Sequence, residues 1–442
     1  MLLEKLPPYN LEAEQAVLGS MMIDKEAVYI ALEMLETEDF YKEAHQLLFA
    51  TIVSLEAKAE PVDMVTLTEE LHRQNSVEKV GGVGYIAEVA NVVPTAANVR
   101  HYAEIVAEKA ILRKLIRVST NIANRCYEDQ EETHDLLDSA ERMILEIADN
   151  RNFSGLVPLK QVLGETLEKI EFLAGNKGNI TGVPSFFTDL DSMTSGWQAS
   201  DLIILAARPA MGKTSFGLNI AQNAAIKGKK PVAIFSLEMS KEQLVQRMMS
   251  SEAMIDQHKL RTGRLQDEEW VRLTKASQPL STAEVFIDDT PAISVLELRA
   301  KARRLKVEKG LGLIIIDYLQ LMQVGKRTEN RQQEISEISR SLKALARELN
   351  VPIMALSQLS RAVEQTQDKR PALSHLRESG ALEQDADLVM FIFREDYYNP
   401  ESEKPGIAEI IIAKHRNGPT GSVELGFIKE FTKFVNIDRS HQ

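Results

Sequence analysis

The stretch Ala207-Arg208-Pro209-Ala210-Met211-Gly212-Lys213-Thr214 follows the apolar run LIILAA and precedes the helical pattern SFGLNIAQNAAIKG. A turn of this kind directs successive backbone N–H groups at one point, where with the positive end of a helix dipole they cradle phosphates. In that setting Lys213 reaches the β- and γ-phosphates, the Thr214 hydroxyl binds magnesium, and Ser215 closes the loop, so ATP and Mg2+ are the expected cofactors. Ala207 stands where a first glycine is usual. An ordinary strand-to-helix turn would not need Gly-Lys-Thr at this spacing. Three further apolar runs end in polar residues suited to the same chemistry. Leu313-Ile314-Ile315-Ile316 ends in Asp317, a carboxylate placed for a direct or indirect magnesium contact. Val232 to Leu237 ends in Glu238, which as general base would polarise a water for attack on the γ-phosphate. Val351 to Ser357 ends in Gln358, a neutral donor and acceptor suited to sensing that phosphate. Taken singly, each is also compatible with a capped strand or a loop side chain. If the strands were neighbours, Glu238 and Lys213 would face one crevice.

The elements that must hold these residues are short apolar runs alternating with helical stretches from Asp201 onward: LIILAA, PVAIFSL, EVFID, LGLIIID, VPIMALSQ, DLVMFIF, AEIIIAKHR and SVELGFI. Runs apolar at successive positions suit strands covered on both faces, which predicts a largely parallel sheet with crossover helices. The last two runs flank Asn417-Gly418-Pro419-Thr420-Gly421 and predict an antiparallel hairpin. Residues 10–150 read differently, with apolar residues three and four apart in LEAEQAVLGSMM, HQLLFATIVSLEAKA and AEIVAEKAILRKLIRVSTNIANRC, the pattern of a helical domain. Turn chemistry divides it at Asp24, Pro61-Val62-Asp63, the Gly81–Gly84 cluster, expected as a loop, and Val93-Pro94-Thr95. Between them, residues 151–184 carry a short amphipathic helix flanked by glycine- and asparagine-rich joints. The expected division is therefore a helical domain at 1–150, a linker at 151–184 and an α/β domain at 185–442.

The 442 residues are 44% hydrophobic and 26% charged, which excludes a disulfide miniprotein or a disordered chain. Cys126 is the single cysteine, so neither an internal disulfide nor a thiolate zinc site is available, and a cytoplasmic location is expected. No run approaches a membrane span, and Glu4, Pro7 and Pro8 interrupt the N-terminus where a signal peptide needs apolar residues. The net charge of -13 is uneven: residues 1–150 hold 28 acids and 13 bases, leaving 37 acids and 39 bases for the remainder. A polyanion would favour the C-terminal part, although that balance alone is no nucleic-acid footprint. The basic run Arg299, Lys301, Arg303, Arg304 and Lys306 reads as a solvated or subunit-facing helix surface.

The stretch GVPSFFTDLDSMTSGWQASDLIILAARPAMGKTSFGLNIA, together with SLEMS, IIIDYLQLM, ALSQLSR and KHRNGPTG, closely resembles the bacterial replicative DNA helicases, the DnaB family. The opening PPYNLEAEQAVLGSMM resembles the family's N-terminal domain, so the likeness covers nearly the whole chain. It implies an all-α N-terminal domain and a RecA-like α/β motor with a mostly parallel sheet. It also implies a homohexameric ring that holds ATP between subunits and single-stranded DNA in the central channel, with movement 5′ to 3′. Primase on the N-terminal domain, a helicase loader and replisome proteins are the implied partners. Carried over by residue, Lys213 and Thr214 match the phosphate loop, Glu238 the catalytic glutamate, Asp317 the magnesium-side aspartate and Gln358 the sensor. Lys414 and Arg416 match the basic hairpin that reaches the neighbouring γ-phosphate, with Arg416 as arginine finger. Two loops after strands match the channel lining: Gly325-Lys326-Arg327 through Arg331, and Gln365 to Gly380. The second carries Lys369, Arg370, Arg377, Glu378 and Gly380, residue types that follow phosphates without reading bases. Neither loop has an aromatic residue, so base stacking is expected to be minor. A recombinase or RadA-like repair motor would share the sheet but not the helical N-terminal half, and a non-enzymatic ATP-switched scaffold would not need Glu238 and Arg416.

Overall fold

A computed structural model describes residues 6–128, scattered positions between 133 and 147, then 159–175, 180–323, 331–366, 368–399 and 401–437, with backbone only at 160, 161, 165, 169, 172–175 and 377–379. The chain divides into two compact units, Met1–Glu168 and Lys169–Gln442, the division falling inside the helix Leu159–Gly175.

The first unit is helical. Asn10, Asp24 and Asp63 each accept a backbone N–H at the start of the helices Leu11–Ile23, Lys25–Met34 and Met64–Arg73, which fixes where those helices begin. Their apolar faces close over Leu18, Met21, Leu48, Phe49, Ile52, Leu67 and Ile86. The long helix Val99–Glu128 joins this core through Ala103 and Val106. The glycine cluster is not the expected loop. Gly81, at φ 106°, ends the helix Val77–Val80 in a left-handed conformation that costs glycine little, and the helix Gly82–Ala90 begins at the next residue.

The second unit is built on one nine-stranded sheet. Its strands are β1 (Leu202–Ala207), β2 (Val232–Ser236), β3 (Val285–Asp288), β4 (Leu313–Asp317), β5 (Ile353–Gln358), β6 (Leu388–Phe393), β7 (Ile407–His415), β8 (Gly421–Ile428) and β9 (Lys433–Val435). They lie in the order β3-β2-β4-β5-β1-β6-β7-β8-β9. β3 through β6 in that order run parallel, and β7, β8 and β9 are added antiparallel. β1, β2, β4 and β6 are buried at every position, as continuous apolar runs require, whereas β7 alternates for most of its length. Alternate residues of the parallel strands feed two cores. Ile203, Leu205, Ile234 and Leu356 pack with Phe216 and Ile220, while Ile204, Ile314, Ile316 and Ala355 pack with Ile338, Leu342 and Leu345 on the other face.

The strands carrying Lys213 and Glu238 are not neighbours, because β4 and β5 lie between β1 and β2. The in-register pairs Ser236↔Asp317 and Ala207↔Gln358 instead bring all four strand ends to one edge.

Candidate nucleotide-binding site

At that edge a pocket of about 570 Å³ opens, of a size that holds a nucleotide. Ala207 to Ala210 and Gly212 to Ser215 line it, with Glu238 and Gln358 opposite. Met211 does not face it. Its side chain is buried in the core while its backbone continues the loop. Gly212 caps the helix Lys213–Gln222 at φ +97°, and a Cβ built there would lie 3.0 Å from the Phe434 ring. The left-handed backbone favours glycine, and the buried Phe434 ring leaves little room for a side chain.

Thr214 Oγ1 donates to Asp317 Oδ2 at 2.7 Å. Lys213 Nζ lies 3.4 Å from Asp317 Oδ1 and 4.5 Å from the centre of the Tyr318 ring. Asp317 is 2% exposed, and its Oδ1 accepts no hydrogen bond among the described residues. A buried carboxylate oxygen that accepts no hydrogen bond, beside a hydroxyl and with the Lys213 ammonium paired to it, fits Mg2+, which takes one or two protein oxygens and fills its octahedron with water and phosphate. No cluster of three or more His, Cys, Asp or Glu ligands occurs among the described residues, and this ion needs none.

Arg247, Arg394 and Gln320 are among the residues at the site that the sequence did not reveal. Arg247, on the helix Lys241–Ala253, is buried with its Nε unpartnered; burial lowers its pKa, and Asp317 and Glu238 pull the other way. Its only sequence signal is a place on the second turn of the helix after Glu238. Arg394, directly after β6, lies 4.6 Å from the Phe427 ring and pairs with Asp396 at 2.9 Å. Gln320, in IIIDYLQLM, donates to Ser357 Oγ at 2.8 Å and to the Gln358 carbonyl at 3.2 Å, tying the end of β5 to the segment after β4. Arg208 reaches across the end of β5, its Nη1 donating to the Leu359 carbonyl at 3.0 Å and its Nη2 pairing with Glu364 at 2.7 Å.

Family models match both units, the DnaB-like helicase N terminal domain at residues 6–108 and the DnaB-like helicase C terminal domain at 182–436. The chain belongs to the DnaB family. It is 56% identical over 437 residues to replicative DNA helicase DnaB of Geobacillus stearothermophilus, covering 99% of this chain and 96% of that one. To replicative DNA helicase DnaC of Bacillus subtilis (strain 168) it is 55% identical over 440 residues, covering 99% and 97%. Among solved structures, a DnaB-like replicative helicase described with its interactions with primase aligns at TM-score 0.79 and 38% identity, covering 97% of this chain and 100% of that one. A second solved structure, of an ATPase domain alone, aligns at TM-score 0.62 and 45% identity, covering 64% and 100%. DnaB-family replicative helicases are ATP-dependent DNA-unwinding enzymes, and the recombinase alternative is not favoured.

In this DnaB-family chain the basic hairpin lies at the other edge of the sheet. β7 pairs antiparallel to β6 with His415 opposite Leu388, so Arg416 stands level with the start of β6, and the phosphate loop lies past the end of β1. The Arg416 backbone N–H donates to the Asp387 carbonyl at 2.9 Å and its Nη2 to the Gln384 carbonyl at 2.7 Å. Lys414 Nζ donates to the Glu383 and Gln384 carbonyls, and burial, followed by Arg416, lowers its pKa.

Of the loops expected at DNA, Gly325, Lys326 and Arg327 lie outside the described residues, and Arg331 pairs with Glu334. Lys369 sits over the Tyr398 ring, and Arg370 pairs with Glu409. The backbone of Arg377 and Glu378 belongs to the 3-10 segment Leu373–Ser379, and Gly380, exposed and open where a Cβ would point, begins the helix Gly380–Asp385.

Proposed function

We propose that this replicative helicase works as a homohexameric ring that hydrolyses Mg2+-bound ATP at its subunit interfaces to move along single-stranded DNA. Lys213 binds the β- and γ-phosphates, and the loop amides with the N-terminus of the helix Lys213–Gln222 hold the remaining phosphate oxygens. Thr214 and Asp317 would hold the ion, which when bound neutralises phosphate charge. Glu238 orients a water and takes its proton as the γ-phosphate is attacked. Gln358, steadied through Gln320, reports loss of that phosphate to the loop running to Gly380. Arg377, Glu378 and Gly380 contact the DNA backbone, with Lys369 and Arg370 beside them, while Arg416 and Lys414 complete the neighbouring subunit's site.

The observation that carries the interfacial reading is the separation of Arg416 from its own phosphate loop. Five residues of strand at ~3.3 Å each put about 17 Å between the two edges of the sheet. The division into a helical domain at 1–150 that receives primase, a linker at 151–184 and a motor at 185–442 belongs to the same proposal, as do loader and replisome contacts and a cytoplasmic location. Among the described residues no helix is long and apolar enough to cross a membrane. Native mass spectrometry with ATP and magnesium tests the assembly: six copies are expected, and a monomer hydrolysing ATP at the full rate would overturn it.

A further inference from the structure

Asp387 is 5% exposed, although it borders an exposed hairpin. Its Oδ2 accepts the Leu202 backbone N–H at 2.8 Å and pairs with Lys343 Nζ, which also donates to the Ser200 carbonyl at 2.8 Å. These contacts fix the carboxylate to β1 and to the helix Arg331–Leu349. Its Oδ1 is turned to Arg416, with Nη1 at 3.6 Å. Asp201 approaches the same cluster. The charged groups facing Asp201 are Asp387 before β6, Lys343 on the helix and Arg416 after β7. Arg416 is thus held on one edge by Asp387 and the Gln384 carbonyl, while its side chain stays 43% exposed.

We propose that Asp387, with Asp201 beside it, is a socket that positions Arg416 for the neighbouring subunit's γ-phosphate. A guanidinium carries donors on more than one edge, so a carboxylate can hold one side while a phosphate takes another. Without the socket, a long flexible side chain would have to be ordered at the moment of reaction. Asp387 is a positioning residue acting through Arg416, and the inference rests on the finger reading above. Titration supports it: burial first, then the Asp387 charge, push Asp201 up to about 6, against Lys343 and Arg416. Lys414, Glu383 and Asp385 also face the Arg416–Asp387 pair. Above that pH Asp201 adds a negative charge to this cluster; below it Asp201 is neutral, so the hold on Arg416 weakens near pH 6.

The test uses full-length rings. Asp387→Asn is expected to lower ATPase kcat roughly ten- to a hundredfold with little change in KM for ATP, the cost of misplacing a reacting group. In an Arg416→Ala background the same substitution should cost nothing further, and mixing Asp387→Asn with Lys213→Ala subunits should restore turnover at some interfaces. A merely structural role would act on the subunit's own β1 and phosphate loop; the losses would then add and mixing would not rescue, which overturns the socket. If Arg416→Ala alone leaves ATPase intact, the finger reading fails instead, a separate outcome. Should Asp387→Asn not assemble, Asp201→Asn leaves the Asp387–Lys343 pair in place. It should abolish an inflection near pH 6 in the kcat profile, and a profile identical to wild type would overturn the proposal.

Discussion

Replacing Arg416 with alanine removes a guanidinium that the sheet holds at the edge opposite the phosphate loop. The strand register puts about 17 Å between Arg416 and the end of β1, farther than an arginine side chain spans, so the residue cannot serve its own subunit's nucleotide. A finger stabilising transition-state charge is worth on the order of a thousandfold or more in turnover, and the single variant should lose about that much ATPase. Complementation separates trans from cis action. In an equal mixture of Arg416→Ala and Lys213→Ala subunits, half of the sites keep an intact phosphate loop and half of the neighbours keep an intact finger. Random assembly therefore leaves about a quarter of the interfaces complete, and ATPase should recover toward that fraction of wild type. If the arginine acted within its own chain, each subunit would carry a defect and the mixture would stay inactive. A loss below about tenfold in the single variant, roughly 1.4 kcal/mol, would refute the transition-state role altogether.

Gly212→Ala should strain a left-handed position and press a methyl against Phe434, together costing about 1–3 kcal/mol; scanning calorimetry should record a lower Tm for the motor unit, and an unchanged Tm would contradict the contact. Arg377→Ala should weaken single-stranded DNA binding without sequence preference and reduce the salt slope by about 0.7, read by anisotropy across a salt series; an unaltered slope would move the contact to Lys369 or Arg370. Residues 1–150, with 28 acids against 13 bases, should fold alone and bind no single-stranded DNA at moderate salt, so measurable affinity would contradict a protein-contact role.

Eight of the nine strands were legible because runs such as Leu313–Asp317 and Leu388–Phe393 are apolar at nearly every position, and only a strand covered on both faces accounts for that within six residues. β9 was not, since Lys433–Val435 is too short for any period to register; it is placed by Phe434 packing on Phe216 and Phe427. The Gly81 cluster misled because glycine marks both loops and helix caps, and one left-handed residue was enough to turn one helix into the next. Lys213, Thr214, Glu238 and Gln358 could be found because each follows an apolar run closely, and Asp317 because it ends one. Strand order could not be read, as it depends on which crossovers the packed helices allow. Arg247, Arg394 and Asp387 were hidden for a related reason: a buried charged group acquires meaning only from partners distant in sequence, as Asp387 does from Leu202 and Lys343.

The central claim is that ATP turned over in the pocket around Lys213 drives strand separation, and unwinding of forked DNA with each single-stranded tail blocked in turn tests it most directly. Wild-type protein with ATP and magnesium should separate the strands, a block on the 5′ tail should stop it, and Lys213→Ala should be inactive on every fork. Strand separation by Lys213→Ala at the wild-type rate, or wild-type ATP hydrolysis that never opens the fork, would contradict it.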